Sequence, residues 1–181
     1  MNYMKLIVGI FASLLLASNV FADTTNAPVA ASINTNQWVF TLGGGVTTTS
    51  GNSQTALGFD IGAGRTFGLD LPCLSEEVRF EGGIRQGIGW GLSSTSTVLS
   101  TKSYLDSTLF SYKNVEFDGG GNLGLIYGNI STKWYAAPEA LVKYWLRKDV
   151  AIYGGADYSF DLNRGRAEDA INYRVGLEFR F

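Results

Sequence analysis

The amino-acid sequence predicts an all-β fold: a closed eight-stranded antiparallel up-and-down transmembrane β-barrel, preceded by a cleaved signal peptide. The first observation is segment 171–181, INYRVGLEFRF, in which every odd position is apolar and every even position is polar or glycine. This period of two is typical of a strand with two different faces. The same alternation recurs upstream, and a secretory leader lies at the other end of the chain. These two further observations favour lipid, rather than a second sheet, as the partner of the apolar face.

The leader occupies residues 1–22. Lys5 precedes an apolar run, and Val20-Phe21-Ala22 forms a small-x-small cleavage site. The apolar run is about twelve residues long, whereas a membrane-spanning helix needs about twenty. We therefore expect a signal peptide, a periplasmic lead-in over residues 23–36 and an outer-membrane β-barrel over residues 37–181.

The composition excludes several classes of function. Lys and Arg number 14 and Asp and Glu number 16, so neither a nucleic-acid-binding surface nor an acidic tail is indicated. The chain has no histidine, which removes Ser-His-Asp catalysis, Cys-His catalysis and imidazole metal sites. Cys73 is the single cysteine and cannot form an intramolecular disulfide. We expect a non-enzymatic protein without catalytic residues, a metal or a cofactor.

The alternation predicts the first four strands at about 37–48, at 54–67, at 77–91 and within 100–112. In the third strand Arg79, Glu81 and Arg85 share one face, which indicates a polar lumen because such a face is intolerable in lipid. The fourth strand is the least regular, since Leu105 and Leu109 alternate against polar and aromatic residues without deciding which face is outward. A polar loop predicted over 92–103 overlaps the start of that strand.

The last four strands are predicted at about 115–128, at 133–146, at 150–162 and at 171–181. An alternative division makes 118–122 a turn and shortens the strands on either side of it. Pro138 lies inside the sixth strand, where we expect a bulge or an interrupted hydrogen bond because a closed barrel has no edge to accommodate a proline. Arg147-Lys148-Asp149 is a predicted tight turn. An open sheet in lipid would leave unpaired amides that cost several kcal/mol each, so the sheet must close.

Aromatic residues are predicted to form two girdles, one at each membrane interface. The girdle on the leader side comprises Trp38, Phe67, Tyr144, Phe179 and Phe181. The girdle on the far side comprises Trp90, Tyr127, Trp134, Tyr158 and Phe160.

Charged residues on the other strand faces are predicted to share one lumen. The inward set comprises Asp60, Arg65, Arg79, Glu81, Arg85, Glu116, Asp118, Glu139, Lys143, Asp157, Asp161, Arg174, Glu178 and Arg180. The interior of an eight-stranded barrel is just wide enough to be filled by side chains, so opposite charges should pair there. The alternative is a narrow gate that passes ions. The candidate gate residues, which would otherwise form a lumen ion-pair network, are Arg79, Glu81, Arg85, Glu116, Glu139, Lys143, Arg174 and Glu178.

The ending Tyr173-Arg-Val-Gly-Leu-Glu-Phe-Arg-Phe181 and the segment Tyr153-Gly-Gly-Ala-Asp-Tyr158 resemble the small outer-membrane β-barrel family of Gram-negative bacteria. That family includes the OmpA transmembrane domain, the OmpX/Ail group and the opacity-type proteins. The resemblance implies a monomeric barrel in the bacterial outer membrane, surrounded by outer-membrane lipid and lipopolysaccharide. It also implies that the β-barrel assembly machinery and periplasmic chaperones act on the chain, with Tyr173, Phe179 and Phe181 as the assembly signal.

Two functions from different classes remain open at this level. One is a structural or surface-interaction barrel, and the other is a small ion-conducting, porin-like pore. The Ser/Thr-rich segments contain no adhesive motif, and the filled lumen argues against a wide porin. The surface loops are predicted at 48–53, 92–103, 129–132 and 163–170.

Overall fold

The computed structural model describes residues 36–49, 55–69, 78–92, 97–127, 132–162 and 169–181. The predicted signal peptide, the lead-in up to residue 35 and Cys73 lie outside the described residues. Within those ranges, no helix has the length and apolar character needed to cross a membrane.

The described residues form a closed barrel in which each strand pairs antiparallel with the next one along the chain, and the last strand pairs with the first. The strands are β1 (Trp38–Thr49), β2 (Thr55–Leu69), β3 (Val78–Gly91), β4 (Thr97–Tyr112), β5 (Val115–Tyr127), β6 (Thr132–Arg147), β7 (Val150–Asp161) and β8 (Ala170–Arg180). The predicted fold and all eight strands are confirmed. Closure means that no strand is left with an unpaired edge.

Side chains alternate between an apolar exterior and a polar interior along each strand. On β1 the outward residues Trp38, Phe40 and Leu42 are exposed, while Val39 and Thr41 between them are buried. The other strands also carry exposed large apolar side chains, which gives the barrel an apolar outer wall. Charged side chains, in contrast, are concentrated inside.

The irregular pattern of β4 has a structural cause. Thr108 pairs with Asp118, but Phe110 pairs with Phe117, so the register shifts by one residue between them. A bulge of this kind exchanges the inward and outward positions of a strand. Asp106 is accordingly buried in the lumen before the bulge, whereas Phe110 after it contacts the outward ring of Phe117.

The predicted loop at 92–103 is wrong over much of its length, because β4 begins at Thr97 and pairs with β3 from its first residue. Ser and Thr are compatible with strands, so their number in this segment did not indicate a loop.

The alternative turn at 118–122 is also wrong, because β5 is continuous through this segment. Its glycines permit close strand approach instead. A Cβ atom on Gly120 would collide with the carbonyl oxygen of Leu105 and with Asp106 on β4.

The ladder between β6 and β7 is interrupted at Pro138. Ala136 pairs with Phe160 and Glu139 pairs with Asp157, while Ala137 and Pro138 between them have no ladder partner on β7 and the register does not change. Of the two predicted possibilities, the interrupted ladder is therefore present and the bulge is absent. A register shift occurs instead between Trp145 and Arg147, next to the confirmed tight turn that leads into β7.

The barrel has two distinct ends. The turn end carries the tight turns at 113–114 and 148–149 together with Trp38 and Phe181, whose backbones exchange hydrogen bonds of 3.0 and 3.1 Å. The loop end lies opposite. Its connections fall at 50–54, 93–96, 128–131 and 163–168, which lie outside the described residues.

Candidate functional site

The lumen is the candidate site because it collects the charged side chains that the strands direct inward. All eight residues of the candidate gate lie in it, and none is more than 7 % exposed. An isolated buried charge costs several kcal/mol, so these groups require partners. Each of the eight makes at least one ion pair inside the barrel.

Lys143 on β6 is the centre of a group that we call the turn-end cluster. The cluster consists of Arg79, Glu81, Glu116, Asp118, Lys143, Glu178 and Arg180. The Nζ atom of Lys143 lies 2.9 Å from Glu81 Oε2, 2.8 Å from Asp118 Oδ2 and 2.7 Å from Glu178 Oε2. These carboxylates come from three different strands, so one ammonium group connects the walls of the barrel.

Arg180 forms the second centre of this cluster. Its Nη2 atom lies 2.7 Å from Glu178 Oε1, 3.2 Å from Glu81 Oε2 and 3.5 Å from Glu116 Oε1. The guanidinium lies 4.2 Å from the centre of the Trp145 ring, and Trp145 Nε1 donates a 3.3 Å hydrogen bond to Glu116 Oε2. Trp145 is 4 % exposed and packs beneath the cluster towards the turn end.

Arg79 completes the cluster on the side of β3. It forms an ion pair with Glu116 and donates hydrogen bonds of 3.1 and 2.6 Å from Nε and Nη2 to the hydroxyl of Thr108. The guanidinium is therefore held by a carboxylate on β5 and by the residue that precedes the β4 bulge.

Glu139 is the centre of a second group, the central cluster, which consists of Arg85, Asp106, Asn122, Glu139 and Arg174. Arg85 Nη1 lies 2.9 Å from Glu139 Oε1, and Arg174 pairs with that same oxygen. Asn122 donates a 2.5 Å hydrogen bond to the other oxygen of the carboxylate. Arg85 also lies 3.4 Å from Asp106 Oδ2.

Tyr104 connects the two clusters. The Arg85 guanidinium lies 3.7 Å from the centre of the Tyr104 ring, and the phenol donates a 3.2 Å hydrogen bond to Glu81 Oε1. One aromatic side chain thus contacts the central cluster through its face and the turn-end cluster through its hydroxyl.

The ion pairs at the loop end of the lumen are longer and more exposed than those of Lys143 in the turn-end cluster. Lys102 Nζ lies 3.5 Å from Asp157 Oδ2, and its side chain is 14 % exposed, compared with 1 % for Lys143. At the mouth, Lys133 lies 3.9 Å from Asp161 and its side chain is 46 % exposed. Exposure of the inward lysines thus increases towards the loop end.

Several buried polar atoms in the central part of the lumen make no hydrogen bond to a described residue. They include Asp60 Oδ1, Arg85 Nε, Tyr153 Oη and the Nε and Nη1 atoms of Arg174. Buried polar atoms are normally satisfied by protein or water, so this region has unused hydrogen-bonding groups. Lys143 and Arg180, the two centres of the turn-end cluster, have no such unpaired atom among the described residues.

The chemistry of the lumen is that of compensated charges. Glu81 and Glu178 both bind Lys143 and Arg180, so cations separate the carboxylates. Within the described ranges, no group of three or more His, Cys, Asp or Glu residues has the arrangement of a metal site.

The predicted inward position of Arg65 is wrong. Arg65 is exposed on the outer face of β2, and its guanidinium carbon lies 5.4 Å from the centre of the Trp38 ring. The alternation of β2 already indicates this position, since Ile61 and Ala63 are outward and Arg65 continues their series. The other predicted inward residues are buried or half-buried: Asp60, Asp118, Asp157, Asp161 and Arg180 join the eight gate residues.

Several lumen residues were not identified from the sequence, among them Lys102, Tyr104, Asp106 and Trp145. Lys102, Tyr104 and Asp106 were missed because the bulge in β4 gives the strand two opposite alternations. Trp145 lies between Tyr144 and Leu146, which are exposed on the outer wall, so the alternation of β6 contains the signal for an inward tryptophan.

No protein-family model matches the sequence, and no curated protein matches it. Among solved structures, the chain is similar to Neisserial surface protein A (NspA), with a TM-score of 0.59 and 14 % identity over 80 % of this chain and 97 % of that chain. It is also similar to Ail, the attachment invasion locus protein of Yersinia pestis, with a TM-score of 0.48 and 11 % identity over 81 % of this chain and 97 % of Ail. At this identity the likeness to NspA shows the fold alone.

Proposed function

We propose that the chain is a non-enzymatic integral β-barrel of the bacterial outer membrane, with a structural or surface-interaction role and a lumen closed by ion pairs. The observation that carries this proposal is that apolar side chains face outward and charged side chains face inward, the reverse of a water-soluble protein. Outward side chains such as Phe59, Ile84 and Val175 are 56–61 % exposed, while Lys143 and Glu178 inside are each 1 % exposed. A continuous apolar outer wall of this extent is unfavourable in water and suits lipid.

The strand lengths and the aromatic residues support the same environment. The strands contain 11–16 residues, and about 9–11 tilted residues cross the hydrocarbon of a membrane. Exposed Trp38 and Tyr144 lie near the turn end, and exposed Trp90 and Trp134 lie near the loop end. Tryptophan and tyrosine favour membrane interfaces, so these rings fit the two boundaries of a membrane.

The ion pairs support a closed lumen. The turn-end cluster connects β3, β5, β6 and β8, and the Trp145 ring packs against it. An ion that passes through the barrel would have to displace several buried charges from their partners, which costs several kcal/mol for each. A lumen of this kind suits a barrel whose contacts are made at its surface.

A small ion-conducting pore is the second candidate. The observation that favours it is the partial exposure of the loop-end side chains Lys102 and Lys133, next to the hydrogen-bonding groups left unused in the central part of the lumen. These groups would be satisfied by solvent that enters from the loop end.

Recording from single molecules of the refolded protein in planar bilayers distinguishes the two functions. A closed lumen gives small or no conductance, whereas stable openings of general-porin size would contradict the main proposal. A gel-mobility test addresses the barrel itself. The refolded protein should resist SDS as a monomer and change its mobility on boiling, because its backbone hydrogen bonds are internal and cooperative.

The environment and assembly partners belong to the same proposal. Outer-membrane lipid and lipopolysaccharide would surround the wall, with the turn end on the periplasmic side. The β-barrel assembly machinery and periplasmic chaperones would act on the unfolded chain. The assembly-signal role of Tyr173, Phe179 and Phe181 stays a prediction.

A further inference from the structure

Arg65 is an unusual residue of the outer wall. It is charged, exposed and located within β2, whereas the other exposed charged residues of the described strands, Lys133 and Arg147, lie at strand ends. Lys133 also pairs with Asp161, and Arg147 lies 3.6 Å from Asp149. Arg65 makes no ion pair with a described residue.

The surroundings of Arg65 combine an aromatic ring with a gap. Arg65 pairs across the sheet with Trp38 on one side and with Gly82 on the other. Trp38 is 61 % exposed, and its ring lies 5.4 Å from the Arg65 guanidinium carbon. The nearest neighbours of a Cβ atom on Gly82 would be Leu105 at 3.4 Å, Phe67 at 3.5 Å and the Tyr104 carbonyl oxygen at 3.5 Å, all at ordinary van der Waals distances. The missing side chain leaves a shallow notch beside the guanidinium.

The level of Arg65 in the wall determines what it can bind. It faces Trp38, the first residue of β1, and therefore lies just inside the turn-end girdle. A cationic side chain is strongly disfavoured in the hydrocarbon centre but tolerated near the interface. The arginine side chain is long enough to direct its guanidinium towards the headgroups, where phosphate oxygens are available.

We propose that Arg65, Trp38 and the notch at Gly82 form a binding site for the phosphate of an anionic phospholipid in the leaflet at the turn end. The guanidinium donates paired hydrogen bonds to phosphate oxygens, for which its planar geometry is suited. The Trp38 ring holds the guanidinium by cation–π contact. An acyl chain of the same lipid lies in the notch between Phe67 and Leu105. The proposal rests on the proposed membrane location and adds a lipid class and a leaflet to it.

Native mass spectrometry of the refolded full chain, titrated with phosphatidylglycerol in detergent, tests this site. We expect one phosphatidylglycerol to bind more tightly than phosphatidylcholine, and Arg65→Gln to weaken that binding about fivefold, the effect of one cation near an anionic lipid surface. Arg147→Gln is the matched control, because it removes the same charge at the same end and should leave the binding unchanged.

A second variant separates a shaped site from general attraction between charges. Gly82→Leu keeps every charge but fills the notch, so it should also weaken phosphatidylglycerol binding severalfold. Inorganic phosphate should not displace the lipid, because it has no acyl chain to occupy the notch. Equal losses in Arg65→Gln and Arg147→Gln, unchanged binding in Gly82→Leu, or displacement by phosphate would each overturn the proposal.

Heat-dependent gel mobility is measured on each variant in parallel. If Arg65→Gln or Gly82→Leu retained this property and bound lipid as the wild type does, the lipid site would be refuted and the barrel left intact. A wild-type chain without heat-dependent mobility would instead refute the proposed membrane function.

Discussion

Lys143 on β6 and Glu178 on β8 are joined by a 2.7 Å ion pair although β7 lies between their strands. Glu81 on β3 reaches the same ammonium from the opposite wall, at 2.9 Å. The charges of the lumen therefore connect strands that share no backbone hydrogen bonds. Buried ion pairs with several partners are costly to break, so these contacts should control both stability and permeability.

Removal of the central cation should destabilise the barrel strongly. Lys143→Met leaves Glu81, Asp118 and Glu178 with one fewer partner in a buried site, and the free energy of unfolding should fall by about 3–5 kcal/mol. Unfolding in urea with linear extrapolation measures the change. Lys133→Met is the control, because its half-exposed ion pair at 3.9 Å contributes about 0–1 kcal/mol. Equal losses in the two variants would show that the Lys143 contacts have no special role.

Loss of the tryptophan at the turn end should open the lumen. Trp145→Ala removes the ring under Arg180 and the hydrogen bond to Glu116, so conductance in planar bilayers should rise above that of the wild type. The free energy of unfolding should fall by about 3–5 kcal/mol because a large buried side chain is deleted. Trp134→Ala removes an exposed ring from the outer wall and should leave the conductance unchanged. A closed Trp145→Ala barrel would mean that the ion pairs alone seal the lumen.

Contact between the outer wall and lipid is tested by placing a charged side chain on that wall. Ile84 is 56 % exposed in the middle of β3, so Ile84→Lys should lower the stability of the barrel in lipid vesicles by about 2–4 kcal/mol. Leu146→Lys, on the outer wall next to the turn at 148–149, should cost about 0–1 kcal/mol because it lies at the interface. If Ile84→Lys were harmless in vesicles, the outer wall of β3 would not face hydrocarbon.

β4 and β5 can approach each other closely because Gly120 has no side chain. Gly120→Ala places a methyl group against the Leu105 carbonyl and Asp106, and should destabilise the barrel by about 1–3 kcal/mol. Gly154→Ala is the matched control, since the nearest atom to its new Cβ, the Arg174 carbonyl oxygen, is 3.9 Å away. Thermal unfolding in the same detergent compares the two variants, and similar midpoints would contradict the close approach.

Much of the fold could be predicted because one physical rule, the period of two, applies along nearly every strand. In β8, Arg174 and Glu178 alternate with Val175 and Leu177, and the structure places the two pairs on opposite faces. The rule failed where the backbone departs from regular pairing. The bulge between Thr108 and Phe110 reverses the faces of β4, and no single residue type in the sequence marks it.

Much less of the candidate site could be predicted. Alternation indicates that Lys143 points inward, but its partners depend on the stagger of the closed sheet, which brings Glu81 and Glu178 to the same level. Arg65 illustrates the opposite case. Its outward position follows from the alternation of β2, whereas its charge alone favours the lumen.

The distribution of lumen partners also has a kinetic consequence for closure of the barrel. β8 supplies Arg174, Glu178 and Arg180, and their partners Glu139, Lys143 and Glu116 lie on strands other than its neighbours β1 and β7. A sheet that lacks its last strand has therefore formed most of its backbone ladder but few of these charge contacts. The part of the electrostatic stabilisation that β8 contributes therefore arrives together, when β8 docks against β1. Closure is then a cooperative step, because a single docking event forms the last two ladders and these ion pairs.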